Sequence, residues 1–351
     1  MRIPSIFRAG LALGLIAVVT SAAPAADVPK TVETSGLDYI TAETQASINS
    51  GLDYLASRQN ENGSFGSTTA YSGNVAITGL SGMAFLSAGH TPGRGKHGAV
   101  VQKTVDYILA CAQPSGYIVE GEVRYHGPMY GHGFATLFLA EVYGMSPRKD
   151  VREKLDKAVK LIVNSQNDEG GWRYYPDSDD ADISVTVAQV MALRAARNSG
   201  IFVPKSTIDR SVEYVEKCQN ADGGCKYQLV RRAESLFPRS AAGVVALYSA
   251  GIYEGRSIER GLDYLIRYLP QGDVFRYDTH YFYGQYYAVQ AMWHAGGDYW
   301  HRWYPAIRDE LLRRQLPNGS WPDTSICAEY GTAMACLVLQ MPNNYLPIFQ
   351  R

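Results

Sequence analysis

Stretches of helical periodicity recur along the chain, and they are of two kinds. In the first kind apolar residues are spaced three apart among charged residues, as at Leu52 and Leu55 or at Val159 and Ile162. That spacing predicts an amphipathic helix with one buried face. In the second kind nearly every residue is apolar, Ala or Gly, which predicts a helix buried on all sides. No window keeps a period of two, so we predict no β-sheet.

The two kinds alternate, which predicts six helix pairs. Most helices of the second kind stop at a glycine, such as Gly89, Gly144 or Gly251, and a glycine there suits a left-handed C-cap. The six predicted apolar helices are Val75–Ala88, Phe134–Tyr143, Val185–Asn198, Ala241–Ala250, Tyr286–His294 and Thr332–Leu339.

A short polar motif separates the two helices of most pairs. It consists of Gln, three residues, Gly, one further residue and often an aromatic residue, and successive copies lie 44 to 54 residues apart. Such a period indicates a repeat architecture. Six pairs could stack as an open solenoid, but closure removes the exposed ends, so we predict an all-α fold, an α6/α6 toroid with the apolar helices as its inner ring. The copies are Gln59–Phe65, Gln166–Trp172, Gln219–Cys225 and Gln315–Trp321, with a weaker copy at Gln113–Gly116 and a degenerate one at 270–272.

The copies at Gln166–Trp172 and Gln315–Trp321 resemble the QW repeat of squalene cyclases. They are also similar to the prenyltransferase/squalene oxidase repeat of protein prenyltransferase β subunits. The resemblance covers roughly residues 41–340 and implies the terpenoid cyclase/protein prenyltransferase α/α-toroid superfamily. It also implies that Gln59, Gln166, Gln219 and Gln315 are structural residues, each of which ties a turn to a neighbouring helix.

The first 25 residues have the features of a signal peptide. Arg2 and Arg8 supply the positive start, Ala9–Thr20 the apolar run, and Ala23–Ala25 the small-residue cleavage pattern. The apolar run is too short to span a bilayer, although an uncleaved anchor is the alternative. We therefore expect an exported protein, secreted or periplasmic.

The remaining chain is divided into a linker, residues 26–40, and a single toroid domain, residues 41–351. Hydrophobic residues make up 46% and the formal net charge is -1, which argues against disorder and against a nucleic-acid partner.

Cys218 and Cys225 could form a local disulfide or remain buried thiols. Their spacing does not suit zinc, so we predict no metal, and Gly93–Gly98 follows no strand, so we predict no dinucleotide or other cofactor.

Family chemistry fits this chain only in part. Asp177–Asp180 spells the DxDD acid motif of squalene-hopene-type cyclases, but residues 181–186 separate it from the next apolar helix, so a solvated acidic loop is the favoured interpretation. Asp323 and Cys327 lack the zinc-ligand spacing of prenyltransferases. A complement-type thioester is excluded because Tyr330 replaces the required Gln. Glycosidase or lyase chemistry stays open, since it needs paired carboxylates or a Tyr/His base.

Polar side chains just before the apolar helices would line one mouth of the barrel, where they could form a pocket. The primary hypothesis is a ligand-binding protein without a demonstrable catalytic motif. Its ligand would be a small hydrophobic molecule or a carbohydrate, and a protein partner stays open. The alternative is a cyclase-like isomerase, lyase or glycosidase. Candidate catalytic residues are Asp182, Glu329 and His132; candidate pocket residues are Tyr71, His126, Tyr130, Arg239, His280, Tyr281, Tyr283 and Tyr330.

Overall fold

The computed structural model describes residues 37–121, 127–229, 233–270 and 280–350. These residues form twelve α-helices, a few short 3-10 turns and no β-strand, so the all-helical prediction is confirmed. No helix among them is both long and apolar enough to cross a membrane. The helices are α1 Ala42–Arg58, α2 Val75–Ser87, α3 Gly98–Cys111, α4 Pro128–Tyr143, α5 Lys149–Asn164, α6 Ile183–Asn198, α7 Lys205–Cys218, α8 Phe237–Ala250, α9 Arg256–Leu265, α10 Tyr281–Ala295, α11 Gly297–Arg314 and α12 Ala328–Leu339.

The helices form two closed rings. The even-numbered helices pack side by side in the order α2, α4, α6, α8, α10 and α12, and α12 packs against α2. The amphipathic odd-numbered helices surround them, and α1 lies beside α11. Each even-numbered helix is buried over most of its surface, as the sequence pattern predicts. The α6/α6 toroid is therefore the observed architecture.

The repeat glutamines hold neighbouring pairs together. Gln166 Nε2 donates to the carbonyl oxygen of Gly170 in its own turn (2.7 Å) and to that of Thr207 at the start of the next outer helix (2.8 Å). Gln315 Nε2 makes the same two bonds, to Gly319 and to Ser47 of α1. The last repeat thus bonds to the first, which closes the outer ring.

The repeat glycines have a backbone geometry that other residues would strain. Gly170 has φ of 94°, and a Cβ there would lie 2.4 Å from the carbonyl oxygen of Arg210. Trp172 completes the turn, because its buried indole Nε1 donates to the Ile162 carbonyl at 2.8 Å. These contacts support the structural role that the resemblance implies for the motif.

Five inner helices begin earlier than the sequence predicts. Their observed starts are Pro128, Ile183, Phe237, Tyr281 and Ala328, where we predicted starts two to six residues later. The first turns carry polar and aromatic side chains or proline, which is tolerated at that position of a helix, and these conceal the apolar pattern. Consequently, several residues predicted to precede the helices lie within their first turns.

Candidate functional site

A cavity of about 500 Å³ opens at the end of the inner ring where the inner helices begin. Its wall combines aromatic and aliphatic side chains with a few polar groups. Seven of the residues in the wall are aromatic: Tyr71, Tyr130, Phe134, Tyr174, Tyr227, Tyr283 and Tyr330. The remaining lining residues are Asn74, Ala76, Ile77, Leu80, Glu120, Gly127, Pro128, Gly131, Ser184, Leu236, Pro238, Arg239, His280 and Ile326.

The structure brings most of the candidate pocket residues together. Those in the cavity wall are Tyr71, Tyr130, Arg239, His280, Tyr283 and Tyr330. Tyr281 is not among the lining residues; its hydroxyl donates to Glu310 Oε1 at 3.0 Å, and the Arg314 guanidinium lies 4.2 Å from its ring centroid. His126 lies outside the described residues.

Asp182 is fully buried immediately behind the cavity wall. Its Oδ1 accepts hydrogen bonds from the backbone amides of Ser184 (2.8 Å) and Val185 (2.9 Å), so the side chain caps α6. Its Oδ2 makes no hydrogen bond within the described structure, and the nearest cation, Arg173 Nη1, is 3.6 Å away. Burial raises the pKa of Asp182 to about 6, against the opposing effects of two backbone amides, Arg173 and Tyr227. Asp182 is therefore a carboxyl that titrates close to neutrality.

Tyr227, a residue of the cavity wall, interacts with Asp182 and with a second wall tyrosine, Tyr174. The hydroxyls of Tyr174 and Tyr227 are 2.6 Å apart and form a hydrogen bond. Arg173 lies over both rings, 4.5 Å from the centroid of Tyr174 and 5.5 Å from that of Tyr227, a favourable cation–π geometry. The buried acid therefore lies close to a hydrogen-bonded pair of hydroxyls in the cavity wall. Asp177–Asp180 is a separate loop, in which Asp180 is exposed.

Glu329 lies outside the cavity and is engaged elsewhere. Its Oε1 accepts from Arg58 Nε (3.1 Å) and its Oε2 from Ser67 Oγ (2.9 Å), which joins α12 to α1. Burial raises the pKa of Glu329, but its own backbone amide, Ser67 and Arg58 outweigh that effect and leave the pKa lowered. A carboxyl held ionised in this way is poorly suited to donate a proton.

His132 is also placed away from the cavity. Nδ1 accepts from the Ile118 amide (3.1 Å) and Nε2 lies 3.2 Å from the Ala158 carbonyl, and burial lowers the pKa of His132 to about 4. The neutral imidazole therefore accepts at Nδ1 and donates at Nε2. In four other repeats the backbone amide at the motif's aromatic position donates to a side-chain hydroxyl, whereas here the corresponding amide donates to Nδ1. These hydroxyls belong to Thr78, Thr186, Ser240 and Thr332.

Our sequence reasoning missed three wall residues that the repeat could have revealed. Glu120, Tyr174 and Tyr227 each lie two residues after the motif's last position, at Ile118, Trp172 and Cys225 respectively. In these three repeats the residue at that offset reaches the cavity wall. The weak third copy, which lacks an aromatic residue, obscured the pattern.

Glu120 is the one carboxyl among the described lining residues. Its Oε1 accepts from Asn74 Nδ2 (2.6 Å) and its Oε2 from the Val75 amide at the start of α2 (3.1 Å). Burial raises the pKa of Glu120, although these hydrogen bonds oppose that effect. Both carboxylate oxygens of Glu120 therefore already accept hydrogen bonds that hold the start of α2.

Elsewhere in the described chain, no cluster of three or more His, Cys, Asp or Glu side chains could hold a metal ion. Cys218 and Cys225 are buried free thiols in this structure, which corresponds to the second of the two alternatives for that pair.

Comparison with known proteins supports the fold. Residues 138–273 match the family profile of the squalene-hopene cyclase C-terminal domain. No curated protein sequence matches the chain.

Solved structures with the same fold include cyclases and carbohydrate-active enzymes. A variant of the type II terpene cyclase MstE from Scytonema, in complex with its substrate geranylgeranyl dihydroxybenzoate, is 15% identical with a TM-score of 0.59 and covers 89% of this chain and 100% of its own. Apo MstE is 17% identical with a TM-score of 0.60, covering 87% and 99%. An alpha-amylase from Clostridium perfringens is 11% identical with a TM-score of 0.59, covering 84% and 97%.

At these identities the structural likeness establishes the fold, and the profile match supports it from the sequence of the central repeats. The resemblance inferred from the QW-type repeats is confirmed. The chain thus has the α/α-toroid fold that terpene cyclases share, and its central repeats match the squalene-hopene cyclase C-terminal domain.

Proposed function

We propose that the protein binds a hydrophobic molecule of isoprenoid type in the central cavity. The observation that carries this proposal is the wall itself, in which seven aromatic side chains and the aliphatic Ile77 and Leu80 surround about 500 Å³. That volume is within the usual range for a small-molecule site, roughly 300–1,000 Å³. Branched alkene chains gain from burial against such a wall through the hydrophobic effect and contact with aromatic faces.

A carbohydrate ligand is the less favoured alternative. Sugars also pack on aromatic rings, and an alpha-amylase shares the fold. Hydrolysis of a glycosidic bond ordinarily needs two carboxyl groups flanking the bond, and the described wall contains Glu120 alone. Binding of a geranylgeranyl compound by MstE supports the isoprenoid class.

The second candidate function is acid-catalysed isomerisation or cyclisation of the bound isoprenoid. Asp182 favours it, because this buried carboxyl has a pKa raised to about 6 and lies beside Tyr227 of the wall. In this proposal Asp182 holds the proton, and the hydroxyls of Tyr227 and Tyr174 connect it to the cavity. Asp182→Asn should abolish conversion of a bound isoprenoid and leave binding unchanged. Unchanged conversion would refute the catalytic role.

Export is part of the proposal and rests on residues 1–25. Fractionation followed by intact-mass measurement tests it. We expect the chain in the periplasm or medium, beginning at Ala26. A full-length chain in the cytosol would contradict export and leave ligand binding to be judged separately.

A titration with geranylgeraniol tests ligand binding. We expect saturable binding with one molecule per chain. Ala76→Phe adds volume inside the cavity and should weaken binding at least tenfold, whereas Ala46→Phe, on the exposed face of α1, should not change it. Absence of saturable binding, or full affinity in Ala76→Phe, would contradict the proposal. Saturable binding of a malto-oligosaccharide instead would favour the carbohydrate alternative.

A further inference from the structure

The repeat turn places Arg173 between two carboxyl groups. Arg173 follows Trp172, whose carbonyl oxygen accepts from the Asp182 amide at 3.0 Å, so the turn is bonded to the start of α6. Nη1 of Arg173 lies 3.6 Å from Oδ2 of the buried Asp182. Nε lies 3.7 Å from Oδ1 of the exposed Asp180. The guanidinium is therefore almost equally distant from a buried and an exposed acid.

The contact between Arg173 and Asp182 is incomplete. Nη1 and Oδ2 are both buried, and neither atom has a hydrogen-bond partner in the described structure. Buried polar atoms without partners cost free energy, so a guanidinium free to move would close this gap. Two contacts oppose the movement. The guanidinium lies over the rings of Tyr174 and Tyr227, and Asp180 attracts it from the solvent side.

Asp180 is itself held in place beside the cavity wall. Gln228 Nε2 donates to its Oδ2 at 2.8 Å, which leaves Oδ1 for Arg173. Gln228 directly follows Tyr227 of the wall. Burial lowers the pKa of Arg173, but Tyr227, Asp182 and Asp180 together outweigh that effect and leave the pKa raised. The guanidinium thus stays charged and interacts with both acids.

Glu329 shows what a complete contact does to a carboxyl at the start of an inner helix. Arg58 Nε donates to its Oε1 at 3.1 Å, and in the described part of the chain Arg58 has no other carboxylate partner. Its pKa is lowered, because its backbone amide, Ser67 and Arg58 outweigh burial. The pKa of Asp182 is raised to about 6 by burial, which a more distant arginine opposes only in part. The two carboxyls differ in whether their arginine is shared with a second acid.

We propose that Arg173 is a positioning residue shared between Asp180 and Asp182, and that Asp180 holds it away from the buried carboxyl, which therefore keeps its proton to a higher pH. This inference rests on the second candidate function, in which Asp182 holds the proton. It assigns a role to the acidic loop Asp177–Asp180, which lies outside the cavity wall: one of its carboxylates sets the acidity of Asp182 through Arg173.

The other groups that face Asp182 do not change charge in the relevant range. Burial raises the pKa of each, so they stay neutral between pH 4 and 8. They are Tyr130 of α4, Tyr214 and Cys218 of α7, Tyr227, and Tyr283 of α10. Glu169 is a further acid at this segment, and its Oε2 accepts from the Ala181 amide at 2.9 Å.

The pH dependence of unfolding reports the protonation of Asp182 without a ligand or an activity. Each protein is compared with the same protein carrying Asp182→Asn, by urea denaturation from pH 4 to 8. The difference in free energy of unfolding is the contribution of Asp182. Because its folded pKa lies above the unfolded value, this contribution falls as the pH rises and levels off above the folded pKa.

Two substitutions should move that pKa in opposite directions. Asp180→Asn should lower it by about one pH unit, because Arg173 then closes on Asp182 and favours the ionised form. Arg173→Gln should raise it by at least as much, because the cation is lost. Asp179→Asn is the matched control. Asp179 is exposed and adjacent in the loop, but it forms no ion pair with Arg173 in the described structure, so the pKa should not change.

A double variant shows whether Asp180 acts through Arg173. In the Arg173→Gln background, Asp180→Asn should cause no further shift. A shift of the same size in both backgrounds would mean that Asp180 acts directly through its own charge, and would overturn the inference. Equal effects of Asp180→Asn and Asp179→Asn, or an unchanged pKa in Arg173→Gln, would also overturn it. If Arg173→Gln does not fold, the comparison of Asp180→Asn with Asp179→Asn still decides.

The pH profile of isoprenoid conversion separates this inference from the proposed function. The pH above which conversion is lost should fall in Asp180→Asn and rise in Arg173→Gln. Predicted pKa shifts without any conversion would refute the second candidate function and leave the sharing of Arg173 standing. Conversion whose pH limit is the same in wild type, Asp180→Asn and Arg173→Gln would overturn the inference and leave the candidate function standing.

Discussion

The two ends of the inner ring are built from the same six helices, but the polar groups at one end face a cavity and those at the other bond to the chain. At the end where the helices begin, Tyr174, Tyr227 and Arg239 face an open cavity. At the opposite end the C-terminal segment 341–350 lies across the last turns and bonds to them. The Ile348 amide donates to Glu141 Oε1 at 3.2 Å, and Trp293 Nε1 donates to the Phe349 carbonyl at 3.1 Å.

This difference follows helix polarity. The last turns of helices expose carbonyls, and amide side chains of the C-terminal region supply donors: Gln340 Nε2 to Ala84 (3.1 Å) and Asn343 Nδ2 to Ser87 (3.0 Å). The first turns expose N–H groups, which attract acids and anions. The closed end contributes stability, and the open end is available for a ligand.

Removal of the closing segment should have the largest effect. A chain ending at Asn344 loses the buried Leu346, Ile348 and Phe349. At about 1.5–3 kcal/mol for each side chain, the free energy of unfolding should fall by roughly 5 kcal/mol or more. Urea denaturation measures this, with the exposed Tyr345→Ala as control. An equally stable truncated protein would show that the segment does not contribute stability.

Glu141 gives the closed end a pH dependence. Burial raises the pKa of Glu141 to about 8, above its unfolded value of about 4.3. Its contribution to stability is therefore fully present below about pH 4 and is lost as the pH rises through about 8, on the order of 5 kcal/mol in total. Denaturation of Glu141→Gln at several pH values should show a flatter profile between pH 5 and 8. An unchanged slope would mean that another group is responsible.

Asp182 gives the open end a narrower pH dependence. Its folded pKa of about 6 also lies above the unfolded value, about 3.9. Stability from this group is present below about pH 4 and is lost as the pH rises through about 6, about 3 kcal/mol in total. Asp182→Asn keeps an oxygen acceptor for the cap and should flatten the profile between pH 4 and 6 alone. Flattening at pH 7–8 would contradict the assignment of the two windows to the two ends.

The repeat turns should account for a smaller share of stability at the open end. Gln166→Ala leaves the Gly170 and Thr207 carbonyls without their side-chain donor, which should cost about 2 kcal/mol. Thermal denaturation checks this against Gln45→Ala, an exposed glutamine of α1. Equal melting temperatures for the two variants would contradict the structural role of the motif.

The sequence predicts the fold well because the repeat is a local signal. Gln166 and Gly170 lie four residues apart, and their geometry recurs wherever the spacing recurs. The wall residues Tyr71, Tyr130 and Tyr283 were predicted for the same reason, since each lies near the start of an apolar helix.

The individual acids could not be predicted in this way. Glu329 bonds to Arg58, 271 positions earlier, and only closure of the ring brings those two together. His132 was predicted as a catalytic residue, yet its imidazole accepts the hydrogen bond that a hydroxyl accepts in other repeats. Glu120 follows a loop whose path depends on the weak third copy of the motif. Contacts that depend on closure of the ring, and segments that follow degenerate repeats, therefore cannot be predicted from local sequence patterns.

The most direct test of the account is to locate the bound ligand. Photoaffinity labelling with a diazirine derivative of geranylgeraniol, followed by peptide mapping, reports which side chains the isoprenoid chain touches. We predict labels on segments 127–134, 283–287 and 326–330, and their loss in Ala76→Phe. Labels confined to the outer helices, or unaffected by that substitution, would contradict a ligand site at the open end of the ring.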